Sequence, residues 1–342
     1  MKILIRVDSN KYIATGHVMR CISIAQMAIK EGNEVKFIVA DLQSEILLKK
    51  YDMPYICLYT TWNEMDGEIE KISRIIENEK PDCVLVDSYY VTEKYLSALR
   101  MFCKVAYIDD LNMFIYPCDI LICYANYFKK FNYEDRYSSE TKLLLGPKFA
   151  PLRQAFVEPK RIKKEDGNKK ILVMSGGTDE YHVISNFLAE YVKNAHKFRN
   201  VSVDAICGVY NKDYDEIERK YSNHPNINIL KSVDNIEKYM LQTDVAISAG
   251  GATLYELCAC GTPTICYAIA DNQLDNVESF SAEGVMIYAG DIRQDAVINK
   301  VIELLIGGKE LMILSEKMQK LVDGNGAYRI VTEIKDCCKY KN

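Results

Sequence analysis

The sequence predicts an α/β chain of two successive domains, each a largely parallel sheet wrapped by helices. Three observations predict it. Apolar runs of strand length alternate with amphipathic helical stretches through the first half, the pattern breaks near Gly146 in a Pro-rich and then charged stretch, and the alternation restarts at Lys170. A chain of 342 residues has room for two cores. The expected organisation is a first Rossmann-like domain over 1–148, a linker over 149–169 and a second Rossmann-like domain over 170–325 facing the first across a cleft. A last helical stretch, 326–342, packs back on the first domain.

The elements follow in order. Ile3-Leu-Ile-Arg-Val7 is a buried strand ending at Asp8, and Gly16-His17 opens a segment with Val18, Ile22, Ala25 and Ile29 at helical spacing. Further strands are expected at Glu34 to Ala40, Tyr55 to Tyr59, Cys83 to Asp87, Val105 to Asp109 and Ile120 to Cys123, with Ile69, Ile72, Ile75 and Ile76 marking one of the intervening helices. Gly146 to Arg153 is too rich in Pro for a central strand, and Glu158 to Lys170 is charged, with Pro159 and Gly167. The second alternation places strands at Ile171 to Met174, Val203 to Cys207, Ile227 to Leu230, Val245 to Ser248, Thr264 to Ala268 and Val285 to Tyr288.

Composition narrows the function. An apolar fraction of 49% with 27% charged residues is that of a globular protein, and a net charge of -5 speaks against a nucleic-acid surface. The basic stretch Lys160 to Lys170 reads as a solvated linker. No apolar run reaches membrane-spanning length and no signal-peptide pattern opens the chain, so a cytoplasmic protein without a membrane partner is expected. Many of the 12 cysteines sit inside apolar runs and lack zinc-site spacing, so no metal and no cofactor are expected.

Strand ends of a parallel sheet share one edge, where ligands bind and helix starts favour anions. His17 lies there with Arg20 one helical turn later, and so do Asp87-Ser-Tyr-Tyr90 and Asp109-Asp110. In the second half Gly176-Gly177-Thr178 follows one strand and Ser248-Ala-Gly250-Gly251 another. The latter opens a helix carrying Glu256, a pattern suited to a diphosphate on amides and a ribose diol on a carboxylate. Asn272 and Gln273 offer amide groups at the same edge, where a helix-cap role is equally open.

These residues resemble the UDP-2,4-diacetamido-2,4,6-trideoxy-β-L-altropyranose hydrolases of pseudaminic acid biosynthesis and the related spore-coat polysaccharide proteins. The pieces are Arg6-Val-Asp8, Ile13-Ala-Thr-Gly-His17-Val-Met-Arg20, Asp87-Ser-Tyr89, Ile108-Asp-Asp110, Gly146 to Arg153, Gly176 to Asp179, Ser248 to Glu256 and Asn272-Gln273. The resemblance implies a glycosyltransferase-B architecture, similar in its second half to the peptidoglycan N-acetylglucosaminyltransferase, with UDP held by the second domain and the sugar presented by the first. His17 matches the family's catalytic histidine, Tyr89 a sugar-site tyrosine, Glu256 the ribose-binding glutamate and Asn272 the site asparagine. Gly16, Arg20, Arg153, Gly177, Thr178, Ser248, Gly250, Gly251 and Gln273 complete the expected substrate-binding set. The chain departs from the family at Ala14, where a glycine is usual, and at Ser88 and Tyr90, where His and Gly are usual.

The expected reaction is hydrolysis of a UDP-linked 2,4-diacetamido-trideoxyhexose by water, with His17 as base and inversion at the anomeric carbon. A UDP-sugar-dependent glycosyltransferase and a non-catalytic nucleotide-sugar binding protein remain open beside it.

Overall fold

The structure is a computed structural model that describes residues 1–339 except positions 11, 14, 162–166 and 308–311. Ala14, the departure from the family glycine, therefore lies outside the described residues, as do positions 162–166 of the 149–169 stretch. The chain forms two compact units, Met1–Gln154 with Gly324–Asn342, and Ala155–Asp323.

The first unit is built on β1 (Lys2–Val7), β2 (Glu34–Val39), β3 (Tyr55–Cys57), β4 (Cys83–Asp87), β5 (Lys104–Ile108), β6 (Ile120–Cys123) and β7 (Lys142–Leu145), in the order β3-β2-β1-β4-β5-β6-β7. Every described pairing is parallel. Apolar residues fill both faces because helices cover both. Ile3, Ile5 and Val7 meet Val18, Cys21, Ile22 and Ala25 of α1 (Gly16–Lys30), whereas Leu4, Val84 and Val86 pack on the opposite side with Tyr95 and Leu96. Ile29 of the expected apolar stripe is exposed.

The second unit uses β8 (Lys169–Met174), β9 (Val201–Cys207), β10 (Ile227–Lys231), β11 (Val245–Ala249), β12 (Thr264–Ala268) and β13 (Ile287–Asp291), also parallel, in the order β10-β9-β8-β11-β12-β13. Its helices α2 (Thr253–Cys260) and α3 (Asp271–Ala282) follow β11 and β12. The chain then returns to the first unit as α4 (Gly326–Lys339), where Ala327, Ile330, Val331 and Ile334 join the α1 side of the core. Gly326 permits that return, since a Cβ there would lie 2.1 Å from the Ala150 carbonyl oxygen.

Two strand expectations need correction. The strand expected at Val285 to Tyr288 forms at Ile287–Asp291, because Val285 and Met286 serve as buried plugs after α3 and bond back to Phe280. Strand β7 was not expected, for its short Leu run follows the polar stretch Glu140-Thr-Lys142.

Candidate active site

Both sheets reverse their strand order beside the first strand, and the gap between first and fourth strands is where ligands collect in such sheets. In the first unit that gap lies between β1 and β4, whose register pairs Val7 with Asp87. The loop after β1 leads into α1, and this places His17, its second residue, over Asp87.

The imidazole Nδ1 lies 2.5 Å from Asp87 Oδ1, with both side chains buried. Asp87 also accepts from Arg20 Nε and Nη2, each at 2.6 Å, and from the Cys21 thiol at 3.5 Å. Burial works against ionisation of Asp87, but the Arg20 guanidinium and His17 outweigh it and hold its carboxyl well below the usual range. An ionised Asp87 fixes the tautomer: Nδ1 carries the proton and donates it, so neutral His17 keeps its lone pair on Nε2. Arg20 Nη2 approaches the same Nδ1 at 3.1 Å. Both atoms are donors, so that approach is a by-product of the shared carboxylate. Among the described residues Nε2 makes no hydrogen bond.

Arg20 is a correction to the expected binding set. Its guanidinium donates to Asp87 twice, to Asp110 at 3.1 and 2.7 Å and to the Tyr124 hydroxyl at 2.9 Å, which occupies all its N–H groups. It is a positioning residue for Asp87, with no donor left for a substrate. The sequence marks Asp110 only through the strand-end pair Asp109-Asp110. Tyr124 carries no such signal.

Tyr89 stands edge-on to His17, with ring centroids 4.5 Å apart at 82°. Burial and the nearby Asp110 carboxylate raise its phenol above the usual range, so it is neutral and a hydrogen-bond donor. Gly16 has open space around it. Arg6 and Asp8 of the family motif turn inward instead: Arg6 pairs with Glu68 at 2.6 Å and with Asp8 at 2.5 Å, and the Tyr95 hydroxyl closes the buried group on Glu68. Arg153 is half-buried in the segment that closes the first unit.

In the second unit the corresponding gap lies between β8 and β11. Gly176, Gly177 and Thr178 form an exposed turn after β8, closed by buried Asp179, which accepts from the amides of Val183 and Ile184. After β11 the turn is clamped by α3. Gln273 Oε1 accepts from the Gly250 amide at 3.1 Å and from the Ile269 amide at 3.2 Å. Asn276 Nδ2 donates to the Gly250 carbonyl at 2.9 Å, and Asn276 Oδ1 accepts from the Tyr255 hydroxyl at 3.0 Å. Glycine is needed at 250, since a Cβ would meet Val277 Cγ1 at 2.5 Å.

Three expected ligand contacts change accordingly. The Gly250 N–H is taken by Gln273 and is not a donor for phosphate. Ser248 is buried in β11 with its hydroxyl on the Ala249 carbonyl, so it is not part of the turn. The Gln273 carbonyl oxygen serves the protein backbone. What remains at the edge are the amides of Gly251, Ala252 and Thr253 at the start of α2, which take no backbone acceptor among the described residues. Glu256 is half-buried in the same first turn, and Asn272 is exposed at the start of α3, whose N-cap is Ala270. Asn276 was not singled out from the sequence, since a polar residue inside a helix carries no sign of the loop it holds.

Residues 170–332 match the glycosyltransferase family 28 C-terminal domain. The chain is 26% identical over 275 residues to an uncharacterised protein, MJ1062, of Methanocaldococcus jannaschii, covering 78% of this chain and 55% of that protein. It is 25% identical over 273 residues to the UDP-2,4-diacetamido-2,4,6-trideoxy-β-L-altropyranose hydrolase of Campylobacter jejuni, covering 78% of this chain and 92% of the relative. The family resemblance carried by the motifs is thereby supported. The fold matches the crystal structure of MurG from Acinetobacter baumannii with a TM-score of 0.69 at 16% identity, over 98% of this chain and 100% of that one. The two-unit α/β fold is that of the glycosyltransferase-B enzymes.

Proposed function

We propose that the chain is a nucleotide-sugar hydrolase that releases UDP from a UDP-linked 2,4-diacetamido-2,4,6-trideoxyhexose. The observation that carries the reading is the buried Asp87–His17 pair, which leaves Nε2 as an oriented proton acceptor at the ligand edge of β1 and β4. The identity with the Campylobacter hydrolase supports the substrate class. UDP is a competent leaving group, so the demand on the protein is a base for water rather than a strong acid. Water attacks the anomeric carbon, its proton passes to Nε2 of His17, and the bond from that carbon to the diphosphate oxygen breaks with its electron pair leaving on UDP. Attack opposite the leaving group inverts the anomeric centre. The amides of Gly251 to Thr253 would receive the diphosphate and Glu256 the ribose.

A glycosyltransferase with the same donor site is the second reading, favoured by the family 28 domain over 170–332. Incubation with the UDP-sugar in ¹⁸O-water, without acceptor, separates the two. Stoichiometric UDP release with label in the sugar is the expected result. Turnover that requires an added acceptor hydroxyl would assign the chain to transfer.

A further inference from the structure

Beside His17 runs a second feature that the hydrolytic chemistry does not use. Tyr12 follows β1, Trp62 follows β3 and Tyr90 follows β4, so three loops on one side of the same sheet edge each contribute a ring. Tyr12 and Trp62 lie 6.1 Å apart and nearly parallel at 14°, and Tyr90 meets the indole at 5.0 Å and 88°. Tyr90 is next in the chain to Tyr89, the ring that stands on His17. None of the three joins a core cluster; Tyr12 is 72% and Tyr90 42% exposed, and Trp62 is half-buried. The indole N–H takes no acceptor among the described residues. The rings are uncharged, whereas Arg20, Asp87 and Asp110 beneath His17 form a charged network.

We infer that Tyr12, Trp62 and Tyr90 form an aromatic wall that seats an acylamino substituent of the sugar while its anomeric carbon faces His17. The proposal rests on the nucleotide-sugar reading above and adds to it the residues that select the sugar. A flat amide and its methyl stack well on ring faces, and the amide oxygen can take the indole N–H. A diphosphate gains nothing from the negative face of a ring. Continuity with the His17 site through Tyr89 and Tyr90 favours the sugar over any other occupant.

Trp62 is the one tryptophan of the chain, so its emission reports on the wall alone. UDP-N-acetylglucosamine and UDP are titrated separately while binding is followed by calorimetry. The expected result is that both bind, that only the acylamino sugar nucleotide changes Trp62 emission, and that Tyr90→Ala weakens that ligand about 2- to 13-fold without altering UDP affinity. The wild-type titration stands even if a variant misfolds. Equal emission responses to both ligands, or an unchanged affinity in a folded Tyr90→Ala chain, would overturn the wall and leave the nucleotide-sugar reading intact. Binding of neither ligand would remove both. Emission that varies with protein concentration in the absence of ligand would assign the wall to a second copy of the chain.

Discussion

The two sheets place different chemistry at the same topological position. Between β1 and β4 the gap is filled by side chains, in which Asp87 orients His17 and Arg20 spends every donor on Asp87, Asp110 and Tyr124. Between β8 and β11 it is lined by backbone, and the side chains of Gln273 and Asn276 serve to hold Gly250 still. A proton acceptor needs one tuned atom, which a side chain supplies. A diphosphate needs several donors in fixed directions, which amides at a helix start supply at little entropic cost. The contrast predicts that substitutions in the first unit act on turnover and substitutions in the second act on affinity.

The sharpest way to break the comparison is at His17 and Asp87. His17→Gln should lower kcat about 10²–10⁴-fold with UDP affinity unchanged, checked by steady-state kinetics beside calorimetry. Asp87→Asn should lower kcat over the same range and also destabilise the fold by about 1–3 kcal/mol, because it removes the buried carboxylate that His17 and the half-buried Arg20 share while Asp110 still pairs with Arg20. The pH dependence has a definite sign. The carboxyl of Asp87 is depressed in the folded chain, so its stabilising contribution is complete above the ordinary carboxylate value near pH ~4 and is lost as pH falls below that toward its folded value. Wild-type stability should fall on acidification through this window, and the Asp87→Asn chain should show a shallower fall. Equal acid sensitivity in urea denaturation would remove Asp87 from that role.

Next in size is the nucleotide itself. UDP at a hundredfold excess over its dissociation constant should stabilise the chain by about 2.7 kcal/mol, and UMP at the same concentration should do less. A melting temperature indifferent to UDP would dissolve the backbone half of the comparison. Asn276→Leu removes a donor from the buried Gly250 carbonyl at a cost of about 1–3 kcal/mol. Its kinetic signature should be a raised KM with kcat little changed, the opposite of His17→Gln. The smallest effect is expected at Tyr89, where Tyr89→Phe keeps the ring on His17 and removes only the hydroxyl. A fall in kcat with unaltered melting temperature would give that hydroxyl a part in the site, and wild-type turnover would leave Tyr89 a packing role.

Periodicity made most strands legible, and with them the strand-loop-helix setting of His17. It could not show what the polar residues at strand ends do to one another. Arg20 looks equally like a ligand-binding arginine or a structural one until Asp87 and Asp110 are seen on either side of it, and those partners come from β4 and the end of β5. Gln273 and Asn272 are neighbours of the same chemical kind, yet the helical rotation turns one toward Gly250 and leaves the other exposed. Trp62 belongs to no motif, and its meeting with Tyr12 and Tyr90 depends on three loops that are far apart in the chain. Pairings across strands are decided by sheet order, which local pattern does not encode.

The return of α4 to the first unit bears on how the protein is made. Ile330, Val331 and Ile334 belong to the apolar core that α1 and β5 share, yet they leave the ribosome after the whole second unit. The first sheet must therefore wait, partly uncovered, while Ala155–Asp323 is synthesised and free to fold. The earliest residues of the chain reach their final packing among the last. A chain interrupted before Gly326 would expose that apolar face, and cells would be expected to meet such fragments as chaperone clients rather than as half-enzymes.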